Sequence, residues 1–160
     1  MDTKEFESSF QFVGSHINSF SQSNDFLSIT SDMDLIRAVD VEYSVSDVQE
    51  ADDSDLFGVL TLFIKVNVKE KGGKRSNKKY KGNLKITGFF KSDKELGVQN
   101  FAKMLEINGC ASLFSIARSF FISISAQSML DGQITLPLLN IVNMSKRKSE
   151  IEKEKTGSTQ

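Results

Sequence analysis

The sequence is poor in the residues that build metal centres and catalytic triads. Its 160 residues include one cysteine, Cys110, one histidine, His16, and no tryptophan. One cysteine excludes an intramolecular disulfide framework and a cysteine-only zinc site, and one histidine excludes a multi-histidine metal cage. A nucleophilic triad would have to use that single imidazole. We therefore expect His16 to be a structural residue on a strand and Cys110 to be a small buried apolar group.

Motifs that bind nucleotides or catalytic metals are also missing. The chain has no G-x-G-x-x-G fingerprint, no P-loop and no H-E-x-x-H pair, and no two carboxylates stand out as an acid–base pair. We expect a protein that binds other molecules rather than an enzyme, and we expect no cofactor.

Long hydrophobic runs are absent as well. No apolar run approaches the ~20 residues that cross a bilayer, and the acidic residues 1–7 lack the apolar centre of a signal peptide. Apolar residues make up 39% of the chain and charged residues 26%, as in a globular domain. We expect one cytoplasmic domain over residues 1–144, without membrane contact, followed by a charged tail over residues 145–160.

Charge is segregated along the chain, although the net charge is −1. Residues 1–64 carry 13 acidic and 2 basic side chains, whereas residues 65–94 carry 11 basic and 2 acidic ones. Segments of opposite charge are favoured as neighbouring strands, because each pair of opposite charges across two strands adds about 0.2–1 kcal/mol of stability. The basic segment 65–94 also leaves a competing function open, namely binding of DNA or RNA through phosphate contacts. The acidic residues that precede it make this the less favoured alternative.

Alternating apolar and polar residues predict strands in the first half of the chain. The predicted strands are residues 6–20, 35–48, 56–69 and 80–91. Residues 49–55 form an acidic turn, and residues 70–79, with Gly72 and Gly73, form a hairpin turn. Such short connections predict an antiparallel sheet. Alternation in the first strand is imperfect around Gly14, which indicates a bulge or a close backbone approach.

The connection between the first two strands, residues 21–34, is unusual for a loop. Serine, asparagine and aspartate dominate it, yet it also contains Phe26, Leu27, Ile29 and Met33. These apolar groups are too many for a connection that only meets solvent.

A helical period replaces the alternation after residue 91. Ser92 and Glu95 have the spacing of a capping box, which predicts a short helix that ends near Leu105 and stops at Asn108 and Gly109. Apolar residues then recur at i, i+3, i+4 and i+7 as far as Met129, which favours a long helix. The β-propensity of residues 121–124 leaves a strand as the alternative.

The long helix carries a stripe of small residues. Ser115, Ser119, Ser123 and Ala126 follow one another at i, i+4, i+8 and i+11. The stripe is either a solvated face or a close helix–helix contact, because small side chains let two backbones approach. Beyond Gly132, residues 134–144 form an apolar extended segment, and residues 145–160 form a frayed helix or a disordered tail.

The order of these elements and four short motifs resemble the SecB family of protein-export chaperones. The motifs are Phe10-Gln11-Phe12, Gly88-Phe89-Phe90, Leu113-Phe114-x-x-Ala117-Arg118 and, after Gly132, Leu136-Pro137-Leu138-Leu139-Asn140-Ile141. The resemblance spans residues 8–144 and implies an α+β fold. In that fold a four-stranded antiparallel sheet is followed by a short helix, a long helix, an apolar lid loop and a weak C-terminal helix.

The resemblance also implies an ATP-independent chaperone, or holdase, that binds unfolded or nascent polypeptides. In this family two protomers join through edge strands, and two dimers pack through their long helices into a homotetramer. The stripe Ser115, Ser119, Ser123 and Ala126 would then be the oligomer contact. Cargo lies between the loop that crosses the sheet and the lid loop. The implied binding residues are Phe26, Leu27, Ile29, Met33, Ile134, Leu136, Leu138 and Ile141.

The sequence departs from the family where SecB docks on the SecA motor. Carboxylates on the outer sheet face serve that contact, and the matching positions here hold Asn18 or Ser19, Gln22 and Asn83. The neighbouring basic strand would repel a cationic SecA tail. We therefore expect weak or no SecA binding. The departures favour a partner such as an aggregation-prone antitoxin, or a general holdase role, over export.

Overall fold

The computed structural model describes residues 8–50, 55–71 and 78–157. Within these ranges the strands are β1 (Phe10–Asn24), β2 (Leu35–Val45), β3 (Gln49–Glu50), β4 (Asp55–Glu70) and β5 (Lys79–Asp93). The helices are α1 (Val98–Met104), α2 (Cys110–Gln127) and α3 (Ile141–Gly157), with a 3-10 turn at Lys94–Leu96 and a π-helical turn at Leu105–Gly109. This element order is the predicted α+β fold.

The strands form one antiparallel sheet in the order β1-β5-β4-β2, and the two-residue β3 pairs with the start of β4. Part of the predicted acidic turn is therefore a short strand. Strands β1 and β2 are consecutive in the chain but lie at opposite edges, so residues 25–34, the crossover loop, must pass across the end of the sheet. Phe6, Gly72 and Gly73 lie outside the described residues.

One face of the sheet is covered by the helices and forms the core. Even-numbered side chains of β4 and β5 point to this face and are buried, Leu60, Ile64 and Ile86 among them. In β1 the pairing slips between Phe12 and Gly14 and again between Ile17 and Ser19. These irregularities confirm the predicted bulge near Gly14 and explain the imperfect alternation, because each bulge changes which residues face the core. The strand also continues to Asn24, beyond the predicted end at residue 20.

The connection from the sheet to the helices differs from the sequence prediction at both ends. Ser92 is part of β5, where it pairs with Leu56, so it does not cap a helix. Helix α1 begins instead after Gly97, whose φ is +78°. Gly109 does not stop the helix, because it has helical dihedrals. A Cβ on Gly109 would lie 3.3 Å from the ring carbon Cζ of Phe90, so this glycine lets the helix pack closely on the sheet.

The joined helical segment 98–127 is long and apolar enough to cross a membrane by length and composition. This differs from the expectation drawn from short apolar runs. One side of it, including Phe101, Leu105, Leu113 and Phe121, is fully buried. A helix with this pattern is typical of the core of a globular domain.

The end of the chain is more helical than predicted. The segment between α2 and α3, residues 128–140, is the lid loop, and it ends earlier than the predicted 134–144. Asn140 caps α3, because its Oδ1 atom accepts a 3.0 Å hydrogen bond from the Asn143 amide. Helix α3 then covers most of the predicted tail, through Gly157.

Candidate functional site

The crossover loop is anchored where it leaves β1. The ring of Phe26 is buried in the core. The Asn24 side chain accepts a 3.0 Å hydrogen bond from the Phe26 amide and donates to the carbonyl oxygens of Phe26 and Ser128, at 2.9 and 3.1 Å. One asparagine thus holds both the start of the crossover loop and the end of α2.

The crossover loop and the lid loop meet through their backbones. The Leu130 amide donates to the Leu27 carbonyl oxygen at 2.8 Å, and the Ile29 amide donates to the Asp131 carbonyl oxygen at 3.0 Å. Gly132 follows with a φ of +88°, and a Cβ there would collide with the Ile29 carbonyl oxygen. The contact therefore requires glycine at this position. The two loops predicted to form one site are brought together as expected.

The lid loop is fixed to α2 by two further hydrogen bonds. The Ile134 amide donates to the Ser125 Oγ atom at 2.8 Å. The Arg118 Nε atom donates to the Leu136 carbonyl oxygen at 3.0 Å. Because the side chains of Ile134 and Leu136 are also buried, this part of the lid loop has a defined position.

Four of the eight residues predicted to bind polypeptide are part of the core. Phe26, Ile134, Leu136 and Ile141 are each at most 9% exposed. The resemblance implied that these four side chains contact cargo, whereas in the structure they are buried in the core. Burial alternates from Ile134 to Pro137, where Ile134 and Leu136 are buried and Thr135 and Pro137 are exposed. The alternation ends at Leu138, which is exposed, so Ile134 and Leu136 are the anchors within the lid loop.

The other four predicted residues reach the surface. Leu27 and Leu138 are 72% and 82% exposed, and Ile29 and Met33 are partly exposed. Sequence analysis missed Leu130, which is 85% exposed and lies beside Leu27 at the junction of the loops. The sequence signal that could have identified Leu130 is an apolar residue placed just after the end of the long helix, at the start of the lid loop.

A groove of about 570 Å³ lies between the lid loop and β2. Its lining residues are Arg37, Val39, Arg118, Thr135, Leu136, Pro137 and Leu139. Sequence analysis missed Arg37, Val39 and Arg118 as site residues, because they belong to a strand and a helix distant in sequence. The groove adjoins β2, which is a terminal strand of the sheet within the described residues, and the outer edge of such a strand presents backbone N–H and C=O groups.

Helix α3 covers the far end of the same edge strand. The Lys148 Nζ atom donates to the Tyr43 carbonyl oxygen at 3.0 Å and lies 4.0 Å from the centre of the Tyr43 ring. The groove residues Arg37 and Val39 precede this contact on β2. The edge strand is therefore closed by α3 at Tyr43 and borders the groove at Arg37 and Val39.

The stripe of small residues on α2 faces outward. Ser115, Ser119, Ser123 and Ala126 are all exposed. The Ser119 hydroxyl donates to the Ser115 carbonyl oxygen at 3.2 Å, so its hydrogen bond is made within the helix. The stripe has the small side chains that a close helix contact needs.

The positions compared with the SecA-docking carboxylates do not all share a face. Asn18 accepts a 2.8 Å hydrogen bond from the Thr87 hydroxyl, and Asn83 donates to the Ser21 hydroxyl at 3.2 Å, both on the outer face. Gln22 lies instead on the helix side, where it accepts a 3.2 Å hydrogen bond from the Tyr80 hydroxyl. The bulges in β1 cause this difference.

The titratable groups in the core are neutral. Burial raises the pKa of the Tyr80 hydroxyl to about 12, and burial also raises the pKa of the Cys110 thiol to about 12 against the opposing effect of Lys148. His16 is exposed on β1. Among the described residues, no three His, Cys, Asp or Glu side chains cluster as metal ligands would.

Comparison with known proteins identifies the fold. No family model and no curated protein matches the sequence. The structure is similar to that of the Mycobacterium tuberculosis SecB-like chaperone Rv1957, solved in complex with a ChAD peptide from the HigA1 antitoxin Rv1956. The TM-score is 0.54 at 11% sequence identity, and the match covers 82% of this chain and 91% of that chain. This chain therefore has the SecB-like fold that its sequence motifs indicated.

Proposed function

We propose that this protein is an ATP-independent, non-enzymatic holdase that binds non-native polypeptide in the cytoplasm. The observation that carries the proposal is the groove between β2 and the lid loop, on an edge strand and near exposed leucines. An extended peptide can add main-chain hydrogen bonds to such an edge while its side chains enter the groove. Main-chain bonds do not depend on sequence, so this mode suits many cargoes.

The composition of the site supports binding of apolar segments. Leu27, Leu130 and Leu138 offer exposed apolar surface at the two loops. Each apolar side chain fully buried in a complex contributes about 1.5–3 kcal/mol before ordering costs. Arg37 and Arg118 add positive charge to the groove, so we expect preference for apolar segments that carry acidic residues.

We further propose that the cargo is an aggregation-prone antitoxin. The structural similarity to a chaperone solved with an antitoxin peptide supports this choice over an export role. The absence of carboxylates at Asn18, Ser19 and Asn83 supports it as well, since we expect weak or no binding to a SecA tail. General holdase activity on other unfolded proteins is the broader form of the same function.

We also propose a homotetramer assembled as a dimer of dimers. The exposed stripe of Ser115, Ser119, Ser123 and Ala126 supports a helix contact between dimers. The other terminal strand of the sheet, β1, supports an edge-to-edge contact within each dimer.

The function is tested by suppression of aggregation. A chemically unfolded test protein is diluted into buffer with and without this protein, and light scattering is followed. We expect the parent protein to suppress light scattering when it is present at about one oligomer per cargo molecule. Leu27→Asp combined with Leu138→Asp should abolish this protection, because charged side chains replace exposed apolar groups proposed to contact cargo. The fold should remain intact, because both side chains are on the surface.

The matched control is Val98→Asp combined with Gln99→Asp. These exposed residues begin α1, which packs beside the start of β1 through the Phe10–Phe101 ring contact, whereas the crossover loop leaves the other end of β1. The pair adds the same negative charge. The control should protect as well as the parent. A parent protein that leaves aggregation unchanged would exclude the holdase function, and full protection by the folded Leu27→Asp/Leu138→Asp variant would exclude these exposed leucines as cargo contacts.

A further inference from the structure

The outer face of the sheet, opposite the helices, is strongly basic on its two central strands. Its lysines on β4 and β5 are Lys65, Lys69, Lys79, Lys81, Lys85 and Lys91. Between residues 57 and 69 and between residues 79 and 91, no acidic side chain points to this face. The two strands therefore present one continuous basic surface, which we call the basic face.

The lysines of the basic face are largely without ionic partners. Within the described residues, Lys91 pairs with Asp55 at 4.0 Å, and no carboxylate comes within 4.0 Å of the other five ammonium groups. Asp40 and Glu42 on β2 share the face, and Asp40 is in register with Lys65, but neither forms an ion pair with another described residue. The positive charge is thus available to a ligand.

Exposed aromatic rings lie among these lysines. Phe57, Phe63 and Phe89 are 37–44% exposed on the outer face of β4 and β5. The Lys85 ammonium lies 5.2 Å from the centre of the Phe63 ring. Large apolar rings on a solvent-facing sheet surface have no role in the core, and flat ligands can stack on them.

The border of the face on β1 is uncharged and polar. Ser19, Ser21 and Ser23 are in register with Lys85, Asn83 and Lys81. Hydroxyl and amide groups there offer both donors and acceptors beside the lysines and rings.

We propose that the basic face binds single-stranded nucleic acid. Proteins that bind single strands combine cationic side chains, which contact phosphates, with aromatic side chains, on which bases stack. Antiparallel sheets with exposed aromatics on central strands bind unpaired bases in this way. From residue 57 to residue 69 the face is about 40 Å long, enough for several nucleotides.

Unpaired bases explain the face better than two other polyanions do. An acidic polypeptide would complement the lysines but leave the three exposed rings without a stacking partner. A duplex buries its base faces, and a flat sheet does not enter its grooves. The face lies on the opposite side of the sheet from the helices and the lid loop, so this activity is separate from the proposed cargo groove.

The proposal is tested by fluorescence anisotropy with a labelled oligothymidylate of about 15 nucleotides. Four phosphate contacts predict a slope near −3 for log affinity against log salt, or roughly a 50-fold loss from about 50 to 200 mM salt. Lys65→Ala with Lys81→Ala should make that slope shallower by about 1.4. Phe63→Ala should lower affinity about 5- to 100-fold and leave the slope unchanged.

Lys103→Ala with Lys146→Ala is the matched control, because these exposed lysines lie on α1 and α3. It should bind as the parent does, and circular dichroism verifies that each variant is folded. Polyglutamate and a duplex of the same length are the competing probes. No binding of the oligonucleotide, equal or tighter binding of polyglutamate or duplex, or unchanged binding in both variants would each overturn the proposal. A cargo peptide should not compete with the oligonucleotide, so failure here leaves the holdase test unaffected.

Discussion

The Oγ atom of Ser125 accepts a hydrogen bond from the backbone amide of Ile134 at a distance of 2.8 Å. The same hydroxyl donates to the Phe121 carbonyl oxygen at 2.6 Å, and the side chain is completely buried. A single hydroxyl on α2 therefore supplies the partner of a buried lid-loop amide. This bond joins the lid loop to the helix over nine residues of sequence.

Replacement of Ser125 by alanine should destabilise the protein by about 1–3 kcal/mol, because the buried Ile134 amide loses its acceptor. Ser123→Ala on the same helix is the control, since Ser123 is exposed. It should change the free energy of unfolding by less than about 0.5 kcal/mol. Urea unfolding of the two variants measures both effects. Equal stability of the two variants would contradict the role assigned to Ser125.

Gly132→Ala should weaken the junction of the two loops. The residue has a φ of +88°, and a new Cβ would collide with the Ile29 carbonyl oxygen. Gly97→Ala separates the strain of a positive φ from the steric collision. Gly97 also has a positive φ, but no atom lies within 4 Å of a Cβ added there. We expect about 1–3 kcal/mol of destabilisation at Gly97 and more at Gly132. Thermal unfolding that ranks the variants in the reverse order would exclude the close approach.

Truncation of buried residues in the two loops should destabilise the protein much more than truncation of exposed residues in the same loops. Phe26→Ala and Leu136→Ala remove fully buried side chains and should cost about 2–5 kcal/mol each. Leu27→Ala and Leu138→Ala should cost less than about 0.5 kcal/mol, since both side chains are mostly exposed. Denaturant unfolding checks the four values. A large loss of stability in Leu138→Ala would place that residue in the core.

Ser119→Lys should divide the proposed tetramer into dimers. A close helix contact has no room for a long charged side chain, whose burial without a partner costs several kcal/mol. Ser119→Ala keeps the residue small and should retain the tetramer. Multi-angle light scattering gives the masses. A monomeric parent, or a Ser119→Lys variant with the parent's mass, would contradict the proposed assembly.

The stability of the protein should fall as the pH rises above 9. Burial raises the pKa of the Cys110 thiol from 9.0 to about 12, so the thiol loses its proton in the unfolded state first. The unfolded state is then favoured progressively from about pH 9 towards pH 12. Urea midpoints between about pH 8 and pH 10 should show the decline, and Cys110→Ala should remove most of it. The remainder near pH 10 comes from Tyr80, because burial raises the pKa of its hydroxyl to about 12. A parent midpoint that is constant over this interval would contradict the burial of the thiol.

Much of the fold is determined by local pattern in the sequence. Alternating residues in β4, such as Leu62 against Phe63, have to face opposite sides of a sheet, and the period of residues 113–124 has to form a helix with one apolar side. Gly14 indicated the bulge of β1 because the alternation fails there. The order of these elements and four short motifs resemble the SecB family, and the structural similarity confirms the SecB-like fold.

The turns were harder to predict, because tertiary contacts override local signals there. Ser92 and Glu95 have the spacing of a cap, but Ser92 pairs with Leu56 in the sheet, and the helix begins later. Gly109 has the sequence signal of a helix stop, yet packing against Phe90 keeps it inside a continuous helical segment.

The tertiary structure alone decided which apolar loop residues are buried anchors and which are exposed on the surface. Leu136 and Leu138 are chemically identical and two residues apart, yet one is 1% and the other 82% exposed. Their burial depends on the position of α2 and β2, which come from distant parts of the sequence. The sequence by itself determined the sheet, the helices and the presence of two apolar loops, because those follow from spacing along the chain. Three-dimensional packing decided the groove beside β2 and the face that carries the lysines and rings, because those surfaces exist only once distant residues are neighbours.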